Sequence, residues 1–388
     1  MSASTVVISR RGADRLRAGH PWIYRSDVLS ADATPGDVVE VRSERGRPLA
    51  HAFWSDRSQI SIRVLAGAPA AFDEREWLRA RLTAAIAYRA SLGIDASAYR
   101  LVHAEADRLP GLVVDRYDDV LVIQTLCQAT DRRRHDIAAA LVDLLKPRGV
   151  LARNDPKVRR LEGLDETVEV LAGDVPETVE IREGPIRLLA DLRHGQKTGL
   201  FLDQRENHRA AAAIGRGRAL DAFTYNGGFA LHLAGVCETV IALDASASAV
   251  AATRGNAERN GVANLEVREA NVFDALRELE IEGAAFDTIV LDPPAFAKNR
   301  ASLDRAVAGY KEINLRALKL LTSGGHLVTC TCSHHVPEAM FVEIVSAAAA
   351  DAHATVTLVE KRMQGRDHPV LLGVPETSYL KCLVLRKN

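Results

Sequence analysis

Cysteine is scarce in this chain, and its spacing points to neither disulfides nor zinc. The 388 residues contain five cysteines, an odd number, and no CxxC pair. No apolar run approaches the roughly 18 residues that a membrane span requires. The N-terminus lacks the basic and apolar regions of a signal peptide. We therefore expect a protein of the reducing cytoplasm, without a membrane partner or a bound metal.

The common nucleotide-binding loops are also absent. The sequence contains no GxGxxG fingerprint and no Walker phosphate loop. The net charge of −1 argues against a uniformly basic nucleic-acid binder. Basic residues are nevertheless clustered, because residues 1–25 hold five arginines against one acid and residues 131–160 hold nine basic residues against four acids. Such clusters can grip phosphates, although ordinary solvated faces have the same composition.

Hydrophobic patterning divides the chain into three regions. Short apolar runs separated by turn signals over residues 5–66 predict a β-rich module. Helical spacing predicts a helix over 73–92, and strands around a second helix then predict an α+β unit. From residue 219 strands and helices alternate, which predicts an α/β fold with a doubly wound, mostly parallel sheet.

Polar residues follow the predicted strands of this last region. Open α/β sheets bind ligands at the carboxyl ends of their strands. We expect Asp244 to hold ribose hydroxyls and Asp274 to accept a hydrogen bond from an adenine amine. This arrangement favours S-adenosylmethionine, an adenosine ligand without phosphates, although a chance placement of acids is the alternative. The predicted cofactor-binding residues of these strand ends are Asp221, Phe223, Tyr225, Asn226, Gly227, Gly228, Asp244, Asn271 and Asp274.

The run Asp292-Pro293-Pro294-Ala295-Phe296 follows the next predicted strand. Its prolines stiffen the loop. Asp292 can then hydrogen-bond the edge of a pyrimidine, and Phe296 can stack on an extruded base. A stiffened strand end with a core phenylalanine is the alternative.

The run Thr329-Cys330-Thr331-Cys332-Ser333 closes the following strand, and Cys332 is the candidate nucleophile. A thiolate that attacks carbon 6 of cytosine makes carbon 5 nucleophilic enough to accept a methyl cation. The adjacent His334 and His335 can supply the positive charge that favours a thiolate. A buried structural cysteine is the alternative, and we favour that alternative for Cys330.

These residues belong to motifs shared with a known family. Over essentially its full length, the chain resembles the large-subunit ribosomal RNA cytosine-5 methyltransferases that carry an N-terminal PUA domain. The pairing of Gln-Lys-Thr-Gly with Asp-Gln-Arg is specific, whereas the Gly-Gly loop is not. The shared motifs are Gly19-His20-Pro21-Trp22-Ile23-Tyr24, residues 109–117, Gly195–Gly199, Phe201–Arg205, Asp292–Phe296, Cys330–Ser333 and Asp367-His368-Pro369.

The resemblance implies three domains and a covalent mechanism. It predicts a PUA-like RNA-binding domain over residues 1–68, an α+β middle domain over 72–188 and a Rossmann-like class I methyltransferase domain over 189–388. The last should contain a mostly parallel seven-stranded sheet and use S-adenosylmethionine. Cys332 is carried over as the nucleophile, with ribosomal RNA or its assembly intermediate as the partner. Near the cofactor or the mouth of the active site, the resemblance places Gln196, Lys197, Thr198, Asp203 and Arg205, and we add Asp292.

The N-terminal module offers candidate RNA contacts, because basic and aromatic side chains grip structured RNA by phosphates and stacking. The module could equally serve in dimerisation, and a homodimer is one option. The candidate contacts are Arg10, Arg11, Arg15, His20 and Trp22, together with Phe296.

Two departures from the family pattern leave questions open. Other RNA cytosine-5 methyltransferases carry a second cysteine beside the fourth-strand proline, and this chain has none there. The group that removes the carbon 5 proton is therefore unassigned among His334, His368 and Lys298. His334 and His335 also stand where small or apolar residues are expected. The competing functions are a same-fold methyltransferase acting on a base nitrogen, such as guanine N7, and a non-catalytic RNA-binding factor for ribosome assembly.

Overall fold

The computed structural model describes residues 4–68, 71–297 and 300–388. Lys298, one of the candidate proton acceptors, lies outside these ranges. The helices are α1 Arg10–Arg17, α2 Glu74–Ser91, α3 Gln128–Arg132, α4 Arg134–Leu145, α5 Arg205–Ile214, α6 Gly228–Ala234, α7 Ala247–Arg259, α8 Val272–Ile281, α9 Leu303–Leu320 and α10 Glu338–Asp351. None of the helices in the described ranges combines the length and apolar character of a membrane span.

The strands of residues 4–68, 71–297 and 300–388 form four sheets. The strands of the N-terminal half are β1 Thr5–Ile8, β2 Trp22–Tyr24, β3 Val28–Asp32, β4 Val38–Ser43, β5 Pro48–Trp54, β6 Ile60–Gly67, β7 Ala98–His103, β8 Leu112–Tyr117, β9 Val120–Thr125, β10 Gly149–Asn154 and β11 Thr167–Gly173. Those of the C-terminal half are β12 Thr178–Glu183, β13 Ile186–Asp191, β14 Arg218–Ala222, β15 Thr239–Asp244, β16 Leu265–Glu269, β17 Phe286–Leu291, β18 Leu321–Thr331, β19 Val356–Arg362 and β20 Lys381–Lys387.

The chain divides into two compact units. The first comprises Met1–Ile181, Ala190–Leu202 and Arg366–Thr377. It contains a six-stranded sheet of order β2-β6-β5-β4-β1-β3 and a five-stranded sheet of order β11-β10-β9-β8-β7. The β-rich N-terminal module is therefore confirmed, with α1 as a helix that the turn signals did not reveal. The expected three-domain boundaries remain a prediction.

The second unit comprises Arg182–Leu189, Asp203–Gly365 and Ser378–Asn388. Its seven-stranded sheet has the order β16-β15-β14-β17-β18-β20-β19. Strands β14 to β18 pair in parallel, whereas β20 is antiparallel to both of its neighbours. The strand order reverses between β14 and β17, and a reversal of this kind opens a ligand crevice at the carboxyl ends of the strands. The predicted mostly parallel seven-stranded sheet is confirmed.

The helices between these strands follow local sequence signals. Ser246 caps α7, since its side chain accepts from the Ala249 N–H. Gly261 follows the C-terminal end of this helix and has a φ of +64°, as is usual for a glycine in that position. The helices α8 and α10 and the strands β19 and β20 were not predicted. The spacing of Val272, Leu276 and Leu279, all buried in α8, is the helical signal for that element.

Candidate functional site

Two aspartates mark the ends of the central strands in the second unit. Asp221 of β14 pairs in register with Ala242 of β15, and β15 ends at Asp244. Asp244 pairs with Glu269 at the end of β16. The predicted residues therefore lie along one edge of the sheet, where parallel topology brings strand ends together.

The loop after β14 has an unusual backbone. Phe223, Tyr225 and Gly227 all have positive φ, of 67°, 52° and 87°, and such values are uncommon for residues other than glycine. The Tyr225 N–H donates to Asp244 Oδ2 at 2.9 Å. A Cβ on Gly228 would lie 2.5 Å from His208 Cε1, so this position has no room for a side chain. Strained backbone of this kind clusters at ligand sites.

Asp221 is fully buried at the base of this loop. The Thr224 hydroxyl donates to Oδ2 at 2.6 Å. Within the described ranges, Oδ1 is buried without a hydrogen-bond partner. Burial raises the pKa of Asp221 to about 6, because a charged carboxylate is costly in an apolar setting. A buried acceptor of this kind suits a cationic or hydrogen-bonding group of a ligand.

Asp244 is half-buried, and both of its oxygens accept backbone hydrogen bonds. Ser246 N–H donates to Oδ1 at 2.9 Å, in addition to the bond from Tyr225. These bonds fix the orientation of the carboxylate. Each carboxylate oxygen has further acceptor capacity, which suits the pair of hydroxyls predicted from the sequence.

The third strand end contributes more exposed groups. Asn271 and Asp274 are both exposed. The Asn271 side chain caps α8 by accepting from the Phe273 N–H at 3.0 Å. Asp274 lies 3.5 Å from Arg277. Their assignment to the cofactor remains a prediction.

Behind the glycine loop lies a buried group that the sequence did not reveal. His208 Nδ1 is 2.7 Å from Glu183 Oε1, and His232 Nε2 is 3.5 Å from the same oxygen. Although burial works against it, the Glu183 carboxylate raises the pKa of His208. These residue types can bind metals. However, the 2.7 Å separation is that of a hydrogen bond, and the cluster offers three ligands where closed zinc sites have four. We therefore interpret it as a hydrogen-bonded support beneath Gly228.

Asp292 follows β17 and sits among other polar groups. Although the residue keeps some exposure, desolvation of its carboxyl group raises its pKa to about 7, and the nearby Asp203 acts in the same direction. The Gln204 side chain hydrogen-bonds to Asp292 and in turn accepts from Asn207 at 2.6 Å. Asp203 accepts from the Tyr379 hydroxyl at 2.6 Å. Near neutral pH this carboxyl group therefore exists in both protonation states.

Arg205, the last residue of the Asp-Gln-Arg motif, lies nearby in the same network. It begins α5 and is 4% exposed. Burial raises the pKa of Glu183, but the neighbouring positive charges lower it more. His208 has the largest lowering effect, and Arg205 contributes a smaller one. Asp203 and Arg205 are buried in the second unit, and their predicted position near the cofactor or the mouth of the active site remains a prediction.

Phe296 ends the proline loop within a cluster of aromatic rings. Its ring centroid lies 4.6 Å from that of Tyr310, 5.8 Å from Phe273 and 6.3 Å from Phe223. Phe296 is only half-buried, so part of the ring remains accessible for stacking on a base.

Tyr310 connects the loop Asp292–Phe296 to the loop that carries Cys332 through hydrogen bonds of its hydroxyl group. Its hydroxyl accepts from Thr331 Oγ1 at 2.8 Å and lies 2.8 Å from Ser333 Oγ. The Ala297 N–H also donates to Ser333 Oγ, at 3.2 Å. Leu291 and Thr329 pair in parallel register. The two sequence runs therefore lie at the same edge of the sheet, as predicted.

The two cysteines of the second run differ sharply. Cys330 is fully buried, and hydrogen bonding with Cys382, together with burial, holds its pKa well above the ordinary thiol value. Cys330 is therefore a core residue, as favoured from the sequence. Cys332 is partly exposed and packs against an apolar core cluster that includes Leu380 and Cys382.

Lys381 lies beside this loop and was missed by sequence reasoning. It pairs in register with Thr331, and its Nζ donates to the carbonyls of Ser333 and Tyr379, both at 3.1 Å. The signal available in the sequence was a lysine inside the apolar run 380–385. His334, by contrast, is exposed, and its ring packs on His335 with centroids 5.5 Å apart.

The Gln-Lys-Thr motif lies in the first unit. The Thr198 hydroxyl donates to Asp115 Oδ2 at 2.7 Å and is 2.9 Å from the Tyr117 hydroxyl. Thr198 thus anchors its loop. Gln196 and Lys197 are exposed. Their role near the cofactor remains a prediction.

The other candidates of the first unit are partly engaged in internal contacts. Arg10 and Arg11 are exposed on α1, and the Arg15 guanidinium lies 4.5 Å over the Tyr24 ring. The half-buried Trp22 donates from Nε1 to Glu105 at 3.2 Å. The RNA-binding role of these residues stays a prediction, as does a proton-accepting role for His368, which is 2% exposed.

His20 also takes part in these internal contacts. Its Nδ1 accepts from the Trp22 N–H at 3.1 Å. Burial lowers the pKa of His20, and the charge of Arg15 acts in the same direction. A neutral His20 can stack on a base but would not attract phosphate.

Comparison with known proteins defines the class and then the family. Residues 6–66 match a PUA-like domain, and residues 141–386 match the S-adenosylmethionine-dependent methyltransferase family. Proteins named ribosomal RNA large subunit methyltransferase I are 40% identical in Aeromonas hydrophila, over 100% of both chains, and 38% identical in Tolumonas auensis, over 99% of both. The chain belongs to the S-adenosylmethionine-dependent methyltransferase family to which these proteins also belong.

Solved structures support the fold. The crystal structure of SMU.776 complexed with SAH has a TM-score of 0.84 at 20% identity, and it covers 98% of this chain and 99% of its own. A SAM-dependent methyltransferase from Streptococcus mutans has a TM-score of 0.83 at 19% identity, with the same coverage. At these identities the likeness concerns the fold alone.

The strand-end residues fit the cofactor of this family. Asp221 offers a buried carboxylate oxygen without a partner in the described ranges, which suits the ammonium group of S-adenosylmethionine. Asp244 has free acceptor capacity for two hydroxyls. The absence of side chains at Gly227 and Gly228 lets Thr253 and His208 pack against this turn, which holds the loop at the strand ends.

Replacing Asp244 with alanine is expected to weaken S-adenosylmethionine binding by about 1–3 kcal/mol, roughly 5- to 150-fold in Kd, because ribose hydroxyls lose their acceptor. Isothermal titration calorimetry measures the change. Glu258→Ala, an exposed position on α7, is the control and should bind like the wild type. Equal affinities for both variants would show that the ribose is held elsewhere.

Proposed function

We propose that this protein methylates carbon 5 of a cytosine in large-subunit ribosomal RNA, through a covalent bond between Cys332 and carbon 6 of the base. The single observation that carries the proposal is the placement of Cys332. It is partly exposed, directly after β18, at the sheet edge that also holds Asp292. The names of relatives that are 37–40% identical along almost the whole chain support ribosomal RNA as the substrate.

The chemistry explains why a thiol is needed. Carbon 5 of cytosine is a weak nucleophile. When the Cys332 thiolate bonds to carbon 6, the double bond between carbons 5 and 6 opens, and its electrons make carbon 5 nucleophilic. When bound, S-adenosylmethionine would supply an electrophilic methyl group to this carbon; its sulfur–methyl bond would break, and S-adenosylhomocysteine would be the leaving group. A base then removes the carbon 5 proton, the sulfur–carbon 6 bond breaks and the double bond returns.

Asp292 is suited to assist the first step. Its pKa of about 7 means that the carboxyl group is partly protonated at neutral pH. The protonated form can donate to N3 of cytosine, which draws electrons away from carbon 6 and favours attack there. The ionised form can accept from the exocyclic amine. The aromatic cluster around Phe296 offers a stacking face for the same base.

The N-terminal module supports an RNA substrate. Arg10 and Arg11 are exposed on one short helix, and their charges can bind phosphates. The match to a PUA-like domain covers this module. We therefore assign the N-terminal module, residues 6–66, to RNA recognition and the second unit to methyl transfer.

Mapping of modified bases tests the proposal. Large-subunit ribosomal RNA from cells with and without this protein is compared at base resolution for 5-methylcytosine and for 7-methylguanine. We expect one cytosine to lose its methyl group without the protein and to regain it when the wild-type gene is restored. Loss of a methyl group from guanine N7 instead, with all 5-methylcytosine unchanged, would overturn the proposal.

A further inference from the structure

The surroundings of Lys381 are unusual for a lysine. It opens β20, a strand whose first five residues are all buried, and is itself 8% exposed. A buried ammonium group is costly unless hydrogen bonds and a nearby anion compensate it. Two carbonyl oxygens, of Ser333 and Tyr379, accept from Nζ at 3.1 Å. Neutral carbonyls satisfy the donors but do not balance the charge.

Among the described residues, two groups that can carry a negative charge raise the pKa of Lys381: Cys332 and Glu338. The charge of Glu338 of α10 raises the pKa of Lys381. However, the Glu338 carboxylate already accepts a hydrogen bond from Lys361 Nζ at 2.6 Å. Cys332 is the other group whose negative charge raises the pKa of Lys381. The Ser333 carbonyl held by Lys381 belongs to the residue that follows Cys332 in the chain. The geometry therefore places the lysine against the cysteine loop.

We propose that Lys381 is a positioning residue that acts through Cys332: its ammonium group stabilises the Cys332 thiolate and holds the loop that carries it. This inference deepens the proposed function and rests on it for its catalytic meaning. Sequence analysis suggested His334 and His335 as the source of positive charge for the Cys332 thiolate. In the structure, His334 is exposed and its ring packs on His335. We assign this charge to Lys381 instead, on a strand that is far from Cys332 in the sequence but adjacent to β18 in the sheet.

The other titratable groups around Cys332 do not duplicate this role. Burial raises the pKa of the Tyr310 hydroxyl of α9, and Cys332 acts in the same direction, so Tyr310 stays neutral. Asp292, beyond β17, acts on Cys330 and would disfavour a nearby thiolate. Burial lowers the pKa of Lys381, whereas Cys332 acts in the opposite direction. The mutual stabilisation of thiolate and ammonium is the expected counterpart of that effect.

The thiolate can be measured directly. The other four cysteines are buried, so alkylation by iodoacetamide, followed by peptide mass spectrometry, should report Cys332 in the folded full-length protein. The rate is measured between pH 5.5 and 10. We expect a wild-type midpoint below the ordinary value of about 8.5. Cys332→Ala should remove the signal.

Variants of Lys381 distinguish the effect of its charge on Cys332 from its hydrogen bonds to the loop carbonyls. Lys381→Met should raise the midpoint by at least about one pH unit, equivalent to roughly tenfold less thiolate at neutral pH. Lys381→Gln removes the charge but keeps N–H donors for the two carbonyls, and it should give the same shift. Lys381→Arg keeps the charge and should stay closer to the wild type.

Lys387 provides a matched control on the same strand. Its Nζ also donates to two carbonyls, of Leu318 and Leu321, at 2.8 and 2.7 Å, and burial also lowers its pKa. Lys387→Met should therefore perturb β20 in a similar way without moving the alkylation midpoint. A shift of equal size in this variant would reduce the role of Lys381 to structure alone.

The outcomes distinguish this inference from the proposed function. If either neutral variant folds, as judged by thermal melting, and its midpoint equals that of the wild type, Lys381 does not stabilise the thiolate. The cytosine mechanism then stands unchanged. If Cys332→Ser retains transfer to carbon 5, the proposed nucleophile is wrong, while the alkylation midpoints still decide the link between Lys381 and Cys332.

Discussion

Replacing Cys332 with serine is expected to abolish methyl transfer while S-adenosylmethionine binding persists. A serine hydroxyl is far harder to ionise than a thiol, so it cannot form the bond to carbon 6 at a useful rate. We expect the transfer rate to fall by at least about 10³-fold. Calorimetry should show an unchanged cofactor affinity, because Asp221 and Asp244 lie on other strands.

Covalent trapping gives the same prediction a positive readout. RNA containing 5-fluorocytidine cannot lose a proton from carbon 5, so the wild-type protein should remain bonded to it through denaturing electrophoresis. Cys332→Ser should give no such band. Cys237→Ala is the control, because Cys237 precedes β15 at the amino end of that strand, and it should trap like the wild type. A trapped band that survives in Cys332→Ser but is lost in Cys330→Ala would reverse the assignment of the two cysteines.

Replacing Asp292 with asparagine is expected to lower methyl transfer by about 10²- to 10⁴-fold, the range for loss of a proton-transferring group. The amide cannot provide both the donor and the ionised acceptor that the carboxyl group supplies. Steady-state methylation with tritiated cofactor measures the effect. A variant with the wild-type rate would exclude Asp292 from base recognition.

The same variant should change how stability depends on pH. The folded-state pKa of about 7 exceeds the unfolded-state value of about 3.9. The stability contributed by this carboxyl group is therefore fully present below about pH 4 and is lost as the pH rises through 7. Asparagine lacks this loss, so we expect the variant to gain stability relative to the wild type by about 1–4 kcal/mol between pH 5 and pH 8.

Urea unfolding at a series of pH values measures this gain. The groups that face Asp292 include Asp203, His208 and Asp221, so the transition should be broad. Asp274→Asn, at an exposed site on α8, is the control and should follow the wild-type profile. A constant difference between Asp292→Asn and the wild type across the whole range would mean that the carboxyl group does not titrate near neutrality.

Local sequence patterns predicted most of the α/β architecture. Apolar runs located β14 to β17, and Gly261 located the C-terminal end of α7. The last two strands were missed, because β19 is largely exposed and β20 carries a lysine at its start. Strand β20 pairs with β18, which ends 50 residues before it in the chain, and with β19, from which a long loop separates it. A local sequence pattern does not show pairing of this kind.

The candidate site shows the same division. The acids at strand ends and the two sequence runs were recognisable because parallel strands bring their carboxyl ends to one edge. The pKa values of Asp221 and Asp292 were not predictable, since they depend on burial and on neighbours from distant segments. The requirement for glycine at position 228 likewise comes from His208 packed beneath it.

The sequence by itself determined the chemical groups: a thiol, an aspartate on a stiff loop, and a series of acids after strands. These depend only on residue type and local spacing. Tertiary structure decided which groups work together. It buried Cys330 and left Cys332 partly exposed, although only Thr331 lies between them, because β18 ends at Thr331 and Cys332 belongs to the loop that follows. On a continuous strand, residues two positions apart would face the same side. It also brought Lys381 to the cysteine loop through antiparallel pairing of β18 with β20, a contact between segments far apart in the chain that no local pattern predicts.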